Sequence, residues 1–437
     1  MRAIVLITLS TMLYAGCTSD DDESDAGPVK IGLLVPRDTG FGVGMERIAT
    51  VALDSINAKG GIDGRRLELV ATDTTLGTAT VAADLQALID DGAIAAVGPT
   101  TSGQVAAAWP VARDNQIPII APASTAAELS LPPPAGPDDD GYVFRTMPDD
   151  TIQSIAMAHF LRKVRQPAVP SVVVVHESTL YGMGLAEAFR ARFTSGASPG
   201  TIQAEIAYAQ NLPDDAAARA VIDQVAALEP APSMVVLLGV EPDAIKLTTA
   251  WDNGGAPVVP GLEFFMSHGA RTTGFLAEAP ASVRGMCGSA ATYPNNGLAY
   301  RVLKDAYEQR YDGTLEAILA GPNVWDAFHL IAAAAIRQSH TFPGEPLRGP
   351  HLRDAIGEVS HDGQIFTAGD WRDLVGAIRG GHDVDYDGAA GPVDFDPAGQ
   401  TIGAYEIWCV AGDGAAFDQL DYFDANAMMA LRKELDG

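Results

Sequence analysis

The sequence predicts an α/β fold of parallel sheets covered by helices. Apolar runs of strand length alternate with amphipathic helical patterns, such as the face shared by Ile48, Val51 and Ile56. Strands that are apolar throughout indicate a parallel sheet buried on both faces. A chain of 437 residues exceeds what one hydrophobic core usually supports, so we expect two domains of ordinary size, with three still possible. The predicted strands cover residues 29–36, 67–72, 93–98, 118–121, 172–176, 234–239 and 258–264.

The amino terminus has the pattern of an export signal. A positive start precedes an apolar stretch over residues 3–13, which is too short to span a bilayer as a permanent helix. The Ala-Gly-Cys that ends at Cys17 resembles the bacterial lipobox, although Tyr14 departs from its usual leucine. We therefore expect a signal peptide over residues 1–16 and lipidation of Cys17. The alternative is ordinary signal cleavage, in which case Cys17 is not lipidated.

Acidic residues outnumber basic ones two to one. The chain has 56 Asp plus Glu and 28 Lys plus Arg, which gives a formal net charge of −28. Such a surface repels phosphate groups, so we expect no nucleic-acid partner. Five of the carboxylates fall within residues 17–28, which predicts an acidic flexible tether. No later apolar run reaches membrane-spanning length, so we expect the body to lie outside the cytoplasm.

Two loops after predicted strands carry groups that suit a ligand. Open parallel sheets bind ligands at the carboxyl ends of their strands. Residues 98–103 (GPTTSG) and 121–125 (APAST) offer hydroxyls and helix amino-terminal amides that favour a carboxylate. Helix capping is the alternative for each hydroxyl, yet two such loops on consecutive strands favour a shared site. A third loop, residues 38–45, is rich in glycine without the GxGxxG spacing of a dinucleotide site.

The sequence contains no HExxH or CxxC motif and no P-loop lysine. His176 and Glu177 are adjacent, but such a pair is more often a solvated strand end than an acid–base pair. We therefore expect neither an enzyme nor a cofactor.

One acidic stretch copies the oxygen-ligand spacing of a calcium loop. Gly391 and Pro392 do not fit such a loop, and an acidic turn before a strand is the alternative reading. The four candidate calcium ligands are Asp383, Asp385, Asp387 and Asp394.

Cys287 and Cys409 lie in short apolar stretches of the exported body. After export they either form a disulfide or remain two separately buried thiols. Sequence gives no distance between them, so both alternatives stay open.

Six motifs follow one another along nearly the whole chain: IGLLVP at 31–36, NAKGGIDGR at 57–65, GPTTS at 98–102, FR at 144–145, YGMGLA at 181–186 and YDGAAGPVDF at 386–395. In this order they resemble the type I periplasmic solute-binding proteins of the leucine/isoleucine/valine-binding family, which deliver ligands to ABC transporters. The resemblance implies an α/β fold of two doubly wound parallel-sheet lobes joined by three hinge crossovers. The crossovers would lie near residues 144–148, 290–294 and 396–403. Lobe 1 would comprise 29–147 plus 293–400, and lobe 2 would comprise 148–292 plus 401–437.

The resemblance also implies which residues of lobe 1 bind the ligand. Ser102 and Thr125 would hold a carboxylate, and the carbonyl of Ala123 would help to hold an ammonium group. Phe41 would face the ligand side chain, with packing into the lobe as the alternative.

In lobe 2, the resemblance implies that Tyr181 closes over the ligand and that Glu263, after the strand from 258, pairs with the ammonium group. Core packing is the alternative for Tyr181, and a surface position is the alternative for Glu263. The loop at 239–243 lacks the aromatic residue of branched-chain amino acid binders, and Glu241 brings negative charge there instead. The identity of the ligand therefore stays open.

Together these features predict a monomeric lipoprotein, anchored to the bacterial membrane, that captures a small amino acid or amide-like solute for an ABC transporter permease. One alternative keeps the fold but makes the protein a ligand sensor or a regulator of a partner, such as an activator of cell-wall synthesis. The other alternative is a hydrolase whose active site has no recognisable motif.

Overall fold

The computed structural model describes residues 27–165, 168–169, 171–196, 198–294 and 297–436. The predicted signal peptide, Cys17 and nearly all of the predicted tether lie outside these residues. Within these ranges, no helix combines the length and hydropathy that crossing a membrane requires.

Lobe 1 is built on a five-stranded parallel sheet with the strand order β2-β1-β3-β4-β5. Its strands are β1 (Val29–Val35), β2 (Leu67–Asp73), β3 (Ala93–Val97), β4 (Ile119–Ala121) and β5 (Val143–Arg145). Alternate residues of β1 enter two cores, with Leu33 in one and Leu34 in the other, because helices cover both faces. One face carries α1 (Gly40–Asn57), α9 (Leu298–Glu308), α10 (Gly321–Thr341), α11 (Pro350–Glu358) and α12 (Trp371–Arg379), and the other carries α2 (Val81–Asp90) and α3 (Ser102–Asp114).

Lobe 2 is built on a seven-stranded sheet with the order β15-β14-β10-β9-β8-β6-β7, in which only β14 and β15 join their neighbours antiparallel. Its strands are β6 (Ser171–Glu177), β7 (Thr201–Tyr208), β8 (Met234–Leu238), β9 (Glu263–Met266), β10 (Cys287–Thr292), β14 (Ala404–Val410) and β15 (Phe417–Phe423). One face carries α4 (Asp150–His159), α5 (Leu180–Phe193) and α13 (Ala425–Asp436), and the other carries α6 (Asp215–Ala226), α7 (Glu241–Asp252) and α8 (Thr273–Glu278). The predicted α/β class with two parallel-sheet lobes is confirmed.

A small third sheet, attached to lobe 1, contains β11 (Gln364–Phe366), β12 (Val384–Gly388) and β13 (Gly391–Pro392). The chain passes between the two large sheets between β5 and α4, between β10 and α9, and between β13 and β14.

The buried side chain of Arg145, at the end of β5, connects two of these passages. Its guanidinium donates to the carbonyls of Ser124 at 3.3 Å and Ala126 at 2.8 Å, and to the side chain of Gln400. Gln400 belongs to the segment that leads into β14. The first and third passages are therefore tied to each other and to the loop after β4.

The strand predicted over residues 258–264 is displaced, since β9 runs from Glu263 to Met266. Pro257 and Pro260 supply no backbone N–H, and Gly261 has a φ of 79°, so the chain turns before it becomes extended. The apolar-run pattern does not detect β7, because exposed and covered side chains alternate along this strand.

Cys287 and Cys409 are joined by a disulfide across the antiparallel pair of β10 and β14. The two residues lie directly opposite each other in the register, and their Cα atoms are 3.9 Å apart. The bridge therefore locks the pairing of these two strands at one end.

Replacing both cysteines by alanine should lower the free energy of unfolding by up to about 5 kcal/mol, because the bridge spans a separation of 122 residues in the unfolded chain. Urea unfolding measures the difference. A reducing agent should destabilise the unaltered protein by a similar amount and leave the double variant unchanged. Equal stability of the unaltered protein with and without reductant would contradict this.

Candidate functional site

A cavity of about 320 Å³ lies between the two lobes. Lobe 1 contributes Phe41, Leu76, Gly77, Thr78, Thr100, Thr101, Ser102, Gly103, Ala123 and Leu319, and lobe 2 contributes Glu177, Ser178, Thr179, Leu180, Tyr181, Gln210, Val240, His268 and Gly269. The structure thus brings four predicted site residues together, namely Phe41, Ser102, Ala123 and Tyr181.

Strand order explains the position of the cavity. In lobe 1, β1 and β3 are neighbours whose following helices, α1 and α3, pack on opposite faces of the sheet. In lobe 2, β6 and β8 are neighbours followed by α5 and α7, again on opposite faces. Diverging helices leave a crevice at the carboxyl ends of such strands, and the crevices of the two lobes face each other across the cavity.

The amino terminus of α3 forms the polar part of the lobe 1 wall. The hydroxyl of Thr101 accepts from the amide of Gln104, whose side-chain oxygen accepts from the amide of Thr101. The amides of Ser102 and Gly103 lie in the first turn, where the helix itself offers no acceptor. A carboxylate in the cavity would meet these N–H groups and the positive end of the helix dipole.

Ser102 also stabilises the loop after β4. Its Oγ accepts from the amides of Thr125 at 3.2 Å and Ala126 at 3.1 Å. Ala123 in this loop reaches the cavity, whereas Thr125 is turned into the lobe and is 1% exposed. The carbonyl of Thr125 accepts from the amide of Asp150, at the start of α4. Thr125 is not among the residues that line the cavity, and its contact with the ligand carboxylate stays a prediction.

Tyr181 and His268 form an aromatic part of the lobe 2 wall. Their ring centroids are 5.0 Å apart, and the hydroxyl of Tyr181 donates to Oγ of Ser267 at 2.8 Å. Burial lowers the pKa of His268 to about 4, so its imidazole is neutral at physiological pH. Sequence reasoning missed His268, although it follows β9 at the carboxyl end, where ligand-binding residues are expected.

Glu177, the last residue of β6, is the carboxyl residue among those that line the cavity. Oε1 accepts from the hydroxyl of Thr179 at 2.6 Å and from the side-chain amide of Gln210 at 3.4 Å. Burial raises the pKa of Glu177 to about 7. The sequence contained the signal, because Glu177 directly follows a predicted strand, but the pattern was interpreted as a solvated strand end.

Residues 28–414 match the family model of the periplasmic binding proteins. The chain belongs to this family. Its similarity to the chemotactic signal transduction system substrate-binding protein BasB of Halobacterium salinarum is 26% identity over 398 residues, or 87% of this chain and 86% of BasB. The Leu/Ile/Val-binding protein of Escherichia coli is 31% identical over 142 residues, which is 32% of this chain and 36% of that protein.

Solved structures of periplasmic binding proteins share the fold. The leucine-binding protein LivK of Thermotoga maritima matches with a TM-score of 0.71 at 19% identity, covering 91% of this chain and 99% of LivK. A solute-binding protein of an ABC transporter from R. palustris, in complex with benzoate, matches with a TM-score of 0.69 at 19% identity, covering 91% and 96%.

In this periplasmic binding protein, Glu263 lies away from the cavity. It begins β9, at the opposite end of the strand from His268, and its carboxylate pairs with Arg165. This corrects the prediction that Glu263 pairs with a ligand ammonium group, because the displaced strand puts Glu263 at the wrong sheet edge. Glu241 also lies outside the lining, where it packs beside Gly274 and hydrogen-bonds with Thr272.

The structure of this binding protein also contradicts the candidate calcium site. No group of three or more His, Cys, Asp or Glu side chains in the described part of the chain is arranged to hold a metal ion. Asp385 and Asp387 lie in β12, whose extended backbone separates positions 383 and 387 by about 13 Å. Asp383 is oriented toward Arg337, 3.9 Å away, and Asp394 lies beyond β13.

Glu177→Gln should flatten the dependence of stability on pH. Because the pKa of Glu177 rises from 4.5 to about 7 on folding, the folded protein keeps a proton that the unfolded chain loses. Stability from this group is present below pH 4.5 and is lost as the pH rises to about 7, a decline of about 3 kcal/mol. Urea unfolding at pH 5 and pH 8 should show this decline in the unaltered protein and a smaller one in the variant.

The matched control is Glu187→Gln, on the exposed face of α5, which should keep the decline of the unaltered protein. An equal decline in Glu177→Gln and the unaltered protein would refute the assignment.

Proposed function

We propose that this protein captures a small amino acid-like zwitterion between its lobes, outside the cytoplasm, and delivers it to an ABC transporter permease. The observation that carries the proposal is the cavity, which is enclosed by strand ends of both lobes and has a helix amino terminus on one wall. The proposal includes no chemical step and no cofactor.

The size and chemistry of the cavity support an amino acid. A volume of about 320 Å³ is at the small end of ligand sites, which range from about 300 to 1,000 Å³. The amides at the start of α3 suit the carboxylate, and Phe41, Leu76 and Leu319 offer apolar contact to a side chain. Glu177 and His268 add a carboxyl group and a nitrogen acceptor on the opposite side, where an ammonium group would lie.

Contacts between the lobes support capture by hinge closure. Arg271 of lobe 2 donates to the carbonyl of Glu316 of lobe 1 at 3.1 Å, and helices α3 and α5 pack together across the cleft. A ligand inside the cavity would be surrounded by both lobes, so entry and release require the hinge to open. A permease that recognises the closed arrangement would then accept the loaded protein.

We further propose that Cys17 carries a lipid anchor and that residues 17–28 hold the lobes off the membrane. The support is the sequence of this region, with its export signal and its acidic tether. A single chain supplies both walls of the cavity, which is why we propose a monomer.

A thermal-shift screen of the proteinogenic amino acids and of benzoate tests the capture of a solute. An amino acid at about 100 times its Kd should stabilise the purified protein by about 2.7 kcal/mol. Ala123→Leu should abolish the shift because the added side chain fills the cavity, whereas Ala83→Leu, on the exposed side of α2, should keep it. If no compound shifts the unaltered protein, the proposal fails.

Chemosensing is a second candidate function, and the similarity to BasB over 87% of the chain favours it. In that case the loaded protein would engage a signalling receptor. Uptake of the radiolabelled ligand and swimming toward the ligand should be compared between the parent strain and a strain lacking this gene. Loss of uptake supports transport, whereas loss of the swimming response with intact uptake supports sensing.

A further inference from the structure

A chain of hydrogen bonds behind the lobe 2 wall ends on His268. The side-chain nitrogen of Gln153 donates to the carbonyl oxygen of Ser289 at 3.1 Å and to its Oγ at 3.0 Å. A carbonyl oxygen can only accept, so the nitrogen of the Gln153 amide must face Ser289. The oxygen Oε1 of Gln153 therefore faces His268, 2.9 Å from Nδ1.

The orientation of the Gln153 side-chain amide determines the tautomer of His268. An amide oxygen has no proton to give, so the proton between the two groups belongs to Nδ1. Gln153 and Ser289 are completely buried, so their hydrogen bonds are shielded from solvent. Burial also keeps the ring neutral, with a pKa of about 4. A neutral imidazole protonated on Nδ1 carries an acceptor lone pair on Nε2.

Nε2 of His268 is available to a ligand. Within the described chain, only Nδ1 of this ring makes polar contacts, with Gln153 and at 3.4 Å with the hydroxyl of Tyr181. The ring lines the cavity, and Nε2 is not among the enclosed polar atoms that lack a partner. A rotation of the ring that hid Nε2 would break the bond to Gln153.

The cavity therefore has donors on one wall and an acceptor on the other. The amides of Ser102 and Gly103 suit a carboxylate, and Nε2 of His268 suits an N–H or O–H group. A ligand with both groups satisfies both walls. A carboxylate with an apolar end would bury Nε2 without a partner, and sites built to hydrogen-bond a ligand group discriminate strongly against analogues that lack it.

We propose that His268 is a specificity-determining residue that accepts a hydrogen bond from the ligand through Nε2, and that Gln153 is the residue that positions it. The ligand class is a small carboxylate that also carries a hydrogen-bond donor, such as an ammonium or amide group. This inference rests on the proposed function, because it concerns the ligand of the same cavity.

The tautomer can be measured on the unaltered protein. Long-range ¹H–¹⁵N NMR of protein labelled with ¹⁵N in its histidine rings distinguishes the protonated nitrogen from the unprotonated one, and His268→Phe identifies the His268 signals by their loss. We expect a proton on Nδ1 and none on Nε2 at pH 7. A proton on Nε2 would overturn the inference whatever the variants do.

Binding calorimetry tests the ligand class with pairs of compounds that differ only in the ammonium group. The pairs are L-leucine with 4-methylpentanoate and L-phenylalanine with 3-phenylpropanoate, followed by the equivalent pair for any other amino acid found in the screen. The unaltered protein should bind the amino acid at least about tenfold more tightly. His268→Phe keeps a ring of similar shape, and it should weaken the amino acid about 10- to 100-fold while leaving the deaminated compound nearly unchanged.

The role of Gln153 is tested by Gln153→Met, which removes the acceptor for Nδ1–H. This variant should show a mixture of His268 tautomers by NMR and weaker binding of the amino acid. The matched control is Gln338→Met, because Gln338 is also buried and donates to two carbonyls, those of Pro346 and Arg348, in lobe 1. The control should lose stability without changing the tautomer.

The outcomes separate this inference from the proposed function. If amino acids bind the unaltered protein and His268→Phe equally well, or if the deaminated compounds bind as tightly as the amino acids, the inference fails and solute capture stands. If no compound binds the unaltered protein, the proposed function fails and the inference fails with it.

Discussion

The geometry of the cleft depends on the buried guanidinium of Arg145. A charge removed from water is expensive unless its donors are satisfied, and here they reach carbonyls of the loop after β4 and the side chain of Gln400. This requirement holds three segments together: the end of β5, the loop that carries Ala123, and the passage into β14. Substituting this side chain would leave buried acceptors without their donor in the loop after β4 and in the passage into β14. The cavity and the hinge are therefore parts of one hydrogen-bonded unit.

From this unit the two lobes build complementary walls. Lobe 1 presents the free amides of a capped helix, and Ser102 uses its hydroxyl to brace the neighbouring loop. Lobe 2 presents side chains whose protonation is set by burial, namely neutral His268 and Glu177 with its raised pKa. Backbone donors are fixed by the fold, whereas side-chain acceptors can change by single substitutions. This division allows one fold to serve different solutes.

Sequence patterns predicted the part of this structure that depends on local chemistry. Apolar runs located β1 to β4 nearly to the residue, the polar loops after them pointed to Ser102, and the family resemblance implied Ala123. Glu263 was misassigned because Pro257 and Pro260 shift the start of β9, which moves a residue from one sheet edge to the other. His268 and Thr125 depend on which side chains turn inward, and only tertiary packing decides that. The pairing of Cys287 with Cys409 depended on a register between strands far apart in sequence.

That disulfide also has a mechanical consequence. The strand β10 leads into the second passage between the lobes, and β14 emerges from the third, so the two are the anchors of neighbouring hinge segments. The bridge lies at the end of the ladder farthest from the hinge and prevents the strands from sliding past each other. The second and third hinge segments therefore start from strands whose register within lobe 2 is fixed. When the cleft opens, both strands would move together as one body.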